Sequence, residues 1–251
     1  MSMLLSAHPA RLAPRVVLPS GFLARHLGWP LLAAVLASVL LMHGGGDRWL
    51  ADAIFQAEGS HWALRDHWLT GRLIHDGGRI ASALAWLAML GLYLRALRRP
   101  GQAALRRALL FVLIAVALGT GVVSVLKSMT HVDCPWDLVG YGGTRMPLGL
   151  FTPLPAGTRP GVCYPAGHAS AGYAWVSLYF AALLWQPRWR WHGLAIGFAA
   201  GLLFGIGQQL RGAHFLSHDV ATLAVCWLLS LALFCVFAAR TPGASRSAED
   251  A

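Results

Sequence analysis

The sequence predicts an all-α integral membrane protein: a bundle of six transmembrane helices with an amphipathic periplasmic segment between the first two. Three observations lead there. The chain of 251 residues is 57% hydrophobic and only 12% charged, where an ordinary soluble domain carries about 25% charged residues, and its mean hydropathy is +0.56. Its apolar residues gather into runs near the length of a membrane crossing, roughly 20 residues. Its arginines fall in short clusters between those runs, as topogenic signals do. That placement also sets aside nucleic acid as the reason for the net charge of +10, leaving membrane lipids as the surroundings of the chain.

The six runs lie near Leu27–His43, Ile80–Leu94, Ala108–Leu126, Ala169–Gln186, Trp191–Leu210 and Val220–Ala239. The first follows a basic leader without a small-residue cleavage site, so it reads as a retained span. The second is short between Arg79 and Arg95; either those arginines snorkel or the helix begins earlier. Arg11, Arg15 and Arg25 precede span one, and Arg95, Arg98, Arg99, Arg106 and Arg107 lie between spans two and three. Arg188 and Arg190 lie between spans four and five, and Arg240 and Arg246 follow span six. The positive-inside rule puts this set, and both termini, in the cytoplasm.

The domain organisation is then a cytoplasmic leader over 1–24, one membrane domain over 25–240 and a cytoplasmic tail over 241–251. Between spans one and two, Asp47–His75 spaces Trp49, Leu50, Ile54 and Phe55, then Trp62, Trp68 and Leu69, among charges. This predicts one or two amphipathic helices on the outer surface, packing over the bundle. The longest outside loop, Lys127–Ala166, holds Cys134 and Cys163. An oxidising exterior would join them in a disulfide; two unpaired thiols are the alternative.

Charge at the mouth of a membrane helix is costly and marks function. This topology brings Lys127, which ends span three, to the same face as His168 before span four, Arg211 after span five and Asp219 before span six. Lys and Arg bind an anion, and a guanidinium matches phosphate in bidentate fashion. Backbone N–H groups of Gly167 and His168 at a helix start add donors. One imidazole can attack phosphorus and carry it covalently, and a second can protonate the leaving oxygen. A carboxylate can orient the attacking ring. Lys127 is the sole lysine, which favours a phosphate contact over general anchoring. No cofactor is expected: there is no glycine-rich phosphate loop and no zinc-type Cys/His spacing, and the cations offset phosphoryl charge. Asp133, Asp137, His131, His75 and Asp76 read as surface or loop-structuring groups.

These residues resemble the type 2 phosphatidic acid phosphatase (PAP2) family, the membrane branch of a superfamily that includes vanadium haloperoxidases. The family motifs are K-x6-R-P, P-S-G-H and S-R-x5-H-x3-D. Lys127 fits the first with Pro135, and Cys134 stands at the arginine. Pro165-Ala166-Gly167-His168 fits the second, with Ala for Ser and Ser170 close by. His214 fits the third, with Gln208 at its arginine, Arg211 three residues before the histidine, His218 four after it and Asp219 next. The run from Cys134-Pro-Trp-Asp137 to Arg211-Gly-Ala-His looks like a bacterial subgroup.

The resemblance implies a phosphatase of the bacterial inner membrane, acting on a lipid phosphate or pyrophosphate from the periplasmic side. His214 would be the phosphorylated nucleophile, His168 the acid and base, and Lys127, Gly167 and Arg211 the phosphate holders. Arg145 would fold back to replace a missing arginine. The orienter of His214 is His218 or Asp219; a carboxylate is the better orienter, which favours Asp219. A lipid phosphotransferase using the same intermediate is an alternative, as is a lipid-binding or transport module with a degenerate site. Charges at helix ends rather than at the bilayer midplane argue against transport.

Overall fold

The structure, a computed structural model, describes residues 19–150 and 152–239; most of the expected leader and the whole expected tail lie outside them. Among the described residues the chain is helical and forms no strand. Five helices are long and apolar enough to cross a membrane, as in a multi-pass membrane protein: α1 (Ala24–Met42), α3 (Leu69–Leu97), α4 (Ala103–Met129), Pro187–Leu210, of which α7 is Arg190–Leu210, and α8 (Leu216–Ala239). The remaining helices are α2 (Gly46–Ala57), α5 (Gly167–Tyr173) and α6 (Ser177–Trp185). A 3₁₀ turn at Ala174–Val176 joins α5 to α6, so helical backbone runs from Gly167 to Trp185 where the fourth apolar run was expected.

The apolar surface has the arrangement a lipid solvent demands. Leu40 is 67% exposed, Leu84 60% and Leu203 54%, while Phe111, Val123, Val176 and Phe180 are fully enclosed. In hydrocarbon the hydrophobic effect cannot drive one helix onto another, so close approach through small residues does it. In α7 this takes the form of Gly193, Gly197, Gly201 and Gly205, one every fourth residue and hence on one face. A Cβ at Gly197 would lie 2.3 Å from Val176 N, one at Gly201 2.0 Å from the Tyr173 ring, and one at Gly205 2.5 Å from Asp219 Oδ2. The first meets backbone, which cannot swing aside. Gly197→Val is therefore expected to cost about 1–3 kcal/mol or more, read as a lower melting temperature in detergent.

Two features choose between the alternatives the sequence left open. The second span begins at Leu69 rather than near Ile80, because Gly71, Arg72, His75, Asp76 and Gly77 wind as a π-helix, Leu69–Gly77, at the head of α3. Read by hydropathy, that polar and glycine-rich stretch looks like a surface loop. The 29 residues of α3 span about 43 Å at 1.5 Å each, so its first turns extend beyond a hydrocarbon core of about 30 Å. The amphipathic segment contains one regular helix, α2, which buries Asp47 and Ala51. Its Asp52 accepts a hydrogen bond from the Tyr141 hydroxyl at 2.7 Å. Phe55 packs with Trp62 and Tyr141, at ring centroid distances of 5.2 and 5.5 Å. This helix and the 130–166 loop thus form one cap over the end of the bundle.

Candidate active site

The end of α4, the start of α5, the end of α7 and the start of α8 meet under that cap. Lys127 lies in the last turn of α4 and covers Gly167, where a Cβ would stand 3.3 Å from Lys127 Nζ. A side chain at 167 would press on the lysine, whose end would have to give by a few tenths of an ångström. The Ala166 N–H donates to the His218 carbonyl at 3.2 Å. The Thr222 hydroxyl lies within reach of the carbonyls of Ala166 (3.1 Å) and His218 (2.9 Å). These bonds fix the mouth of α5 against the first turn of α8.

His214 sits in the short connection between α7 and α8. Gly212 turns that connection with φ +68°, and its Cβ position is filled by the Trp62 indole. The Gly212 carbonyl accepts from Trp136 N at 2.9 Å. His214 is 6% exposed and His218 2%, and their Nδ1 atoms are 3.3 Å apart. The Cys163 main chain adjoins both rings, and Cys163 is held by a disulfide to Cys134. Burial pushes the His214 imidazole well below its ordinary pKa, and neighbouring His218 and Lys127 push the same way. A neutral ring, the nucleophilic form, is therefore favoured.

The start of α8 is capped from a distance. Asp47, at the head of α2, accepts the Ser217 N–H at 2.9 Å, taking up a backbone donor that a helix leaves unmet. Burial raises the Asp47 carboxyl above its ordinary value, against the lowering pull of its bonds to Ser217.

His168 lies near enough to His214 to act on its charge, as does Lys127. Its ring is flanked by His75 at 4.4 Å and Phe204 at 5.0 Å between centroids, and its Nε2 is buried without a partner. Arg211 acts on His168 in turn. It is braced by Nε donating to the Arg65 carbonyl at 2.7 Å, with NH1 3.4 Å from Gln208 Oε1.

Two roles expected from the sequence meet a different geometry. Asp219 does not face His214. It is 2% exposed, takes a hydrogen bond from Gln209 and lies over Gly205, with Oδ1 unpartnered. Successive helical residues point about 100° apart, so once His218 faces His214, Asp219 must face α7. Arg145 does not fold back; its guanidinium pairs with buried Asp133 and its backbone N–H donates to Asp137, so it braces the loop. The Ser170 hydroxyl donates to the Gly167 carbonyl within its own helix at 2.6 Å.

Sequence reasoning passed over Asp47 and set His75 and Asp76 aside as surface or loop-structuring groups. Asp47 is the first acid of an amphipathic helix, and a lone acid at the buried edge of such a helix was a usable signal. His75 and Asp76 carry no such mark, because nothing local tells a π turn from a loop.

The arrangement offers an imidazole held neutral by burial, a second imidazole and an ammonium at one end of the bundle, which suits transfer of an anionic group. Among the described residues no group of three or more His, Cys, Asp or Glu is disposed to hold a metal ion. A family model described as the PAP2 superfamily matches residues 108–242. No curated protein and no solved structure gives a significant match. The matched stretch is more than half of the chain and includes Lys127, His168, Arg211, His214 and His218; the chain belongs to the PAP2 superfamily.

Proposed function

We propose that the protein is a membrane phosphatase that hydrolyses a lipid phosphate or pyrophosphate through a phosphohistidine on His214. With the proton of the histidine pair on His214 Nδ1 and shared toward His218 Nδ1, the lone pair resides on Nε2, which attacks phosphorus. The P–O bond to the lipid breaks, and the leaving oxygen takes a proton from His168. Water then attacks the phosphohistidine, gives its proton back to His168 and releases phosphate. Lys127 and Arg211 neutralise the phosphoryl oxygens, with the Gly167 N–H as a further donor. Asp219 and Arg145 serve the framework in this reading.

The observation that carries the proposal is the buried His214–His218 pair beside Lys127 and His168, at one end of a bundle whose flanks are apolar. A lipid tail lies along those flanks while its phosphate enters the polar end. The arginine clusters support a six-span domain over 25–240, with Ala169–Gln186 as the fourth crossing. They also support cytoplasmic termini and a site on the periplasmic side of a bacterial inner membrane. Joined Cys134 and Cys163 fit that oxidising side.

The test is phosphate release by purified protein in detergent from phosphatidic acid, phosphatidylglycerophosphate, undecaprenyl pyrophosphate and lipid A, with EDTA present. Release from at least one is expected, with inhibition by orthovanadate, which adopts the five-coordinate geometry of the transition state. Failure on every substrate would refute the reading.

A further inference from the structure

The π-helical head of α3 puts a second histidine against the site. Here the turn brings the His75 ring to 4.4 Å from that of His168, with 38° between the planes. His75 Nδ1 is 2.9 Å from Asp76 Oδ1, with the two side chains 33% and 54% exposed. On the other side of His168 stands Phe204, held close to α3 because Gly78 leaves room for it: a Cβ at 78 would lie 2.4 Å from the Phe204 ring. His168 is thus clamped between a fixed aromatic ring and a titratable one. The charged and titratable groups around His75 are Asp76 on its own element, Arg79 on α3, His168 on α5 and Arg211 on the α7–α8 connection.

We propose that His75, held by Asp76, is a positioning residue for His168: it fixes the ring and sets how readily that ring gives up its proton. The inference rests on the reading of His168 as acid and base. Asp76 Oδ1 lies 2.9 Å from His75 Nδ1 and accepts its proton in a hydrogen bond, which holds the His75 ring in place. Burial, and after it the neighbouring His75, lower the His168 pKa to about 4, since like charges at short range disfavour each other. His168 then passes its proton to the leaving oxygen more readily and recovers it from the attacking water, with no net proton consumed. His75 touches neither phosphorus nor water in this scheme.

The experiment combines kinetics with a readout that needs no turnover. In full-length protein in detergent, His75→Gln is expected to lower kcat about 10–100-fold, the scale of an impaired acid–base group. KM should change less than about threefold, and the alkaline limb of kcat/KM should move to higher pH. His75→Phe keeps the ring stack but not the charge, and should show the same displaced limb. Asp76→Asn should resemble His75→Gln, and the double variant should be no worse than either, as for residues acting as one unit. In parallel, hydrogen–deuterium exchange at the imidazole C2 position, followed by mass spectrometry across pH, reports His168 titration directly. It should move upward in His75→Gln. A displaced His168 titration in a protein inactive on every lipid phosphate would leave this inference standing while removing the phosphatase reading. An unmoved His168 titration and pH profile, or full recovery by His75→Phe, would overturn it.

Discussion

Replacing His214 by Ala is expected to abolish phosphate release, by on the order of 10³-fold or more, as loss of a covalent nucleophile does. The ring is enclosed, so truncation leaves a cavity and some loss of stability. His214→Gln, nearer in volume, separates the two effects: both variants should be inactive, while Gln should melt closer to the parent. Trapping with radiolabelled substrate and rapid quench should give an acid-labile, alkali-stable phosphoprotein in the parent and none in either variant. Normal turnover in His214→Gln would end the nucleophile assignment.

The same residue makes a pH prediction. Burial, then His218 and Lys127, lower the His214 pKa well below its ordinary value near 6.5. The neutral nucleophile therefore persists into mildly acidic solution, and the acid limb of kcat/KM should fall below the ordinary histidine range. For stability, a depressed folded-state pKa means that the unfolded chain binds the proton more readily. The contribution is fully present above the unfolded value and is lost as pH falls through the folded one. His214→Gln should accordingly flatten the acid side of the stability profile.

Long-period features were legible from the chain, while local re-aiming was not. Lys127, His168 and His214 stood out because a charge or imidazole at the end of an apolar run has few structural reasons to be there. The glycines of α7 show which of its faces packs, and their spacing was in plain view. The early start of α3 stood only as an alternative, because the polar, glycine-rich stretch around His75 and Asp76 has the hydropathy of a loop. The role of α2 was half legible: its amphipathic pattern announced a surface helix. That Asp47 would cap α8, 170 residues on, depends on tertiary contact alone. Arg145 misled because a free-looking arginine in a loop gives no hint that Asp133, twelve residues earlier, will claim it.

On the proposed mechanism, the His214–His218 contact gives His218 the orienting place beside His214, and the second large effect follows from it. His218→Phe is expected to lower kcat about 10²–10⁴-fold, the range for removal of the group that orients a catalytic imidazole. Asp219→Asn should cost less than about tenfold, since Asp219 is engaged by Gln209 and acts through packing. The His218 side chain can be changed without disturbing the main-chain link of its carbonyl to Ala166, so the mouth of α5 should survive. His218→Asn supplies an amide oxygen near the former Nδ1 and should recover part of the lost rate, whereas Phe cannot. A neutral imidazole is a weaker partner than a carboxylate for the ring that becomes cationic as the phosphoryl group departs. What compensates is enclosure: with His214 6% and His218 2% exposed, the single hydrogen bond between them acts at low local dielectric, where it is worth more than in water. If Asp219→Asn were the more damaging change, the carboxylate would have to swing toward His214 in the working enzyme, and the bond from Gln209 would have to break first.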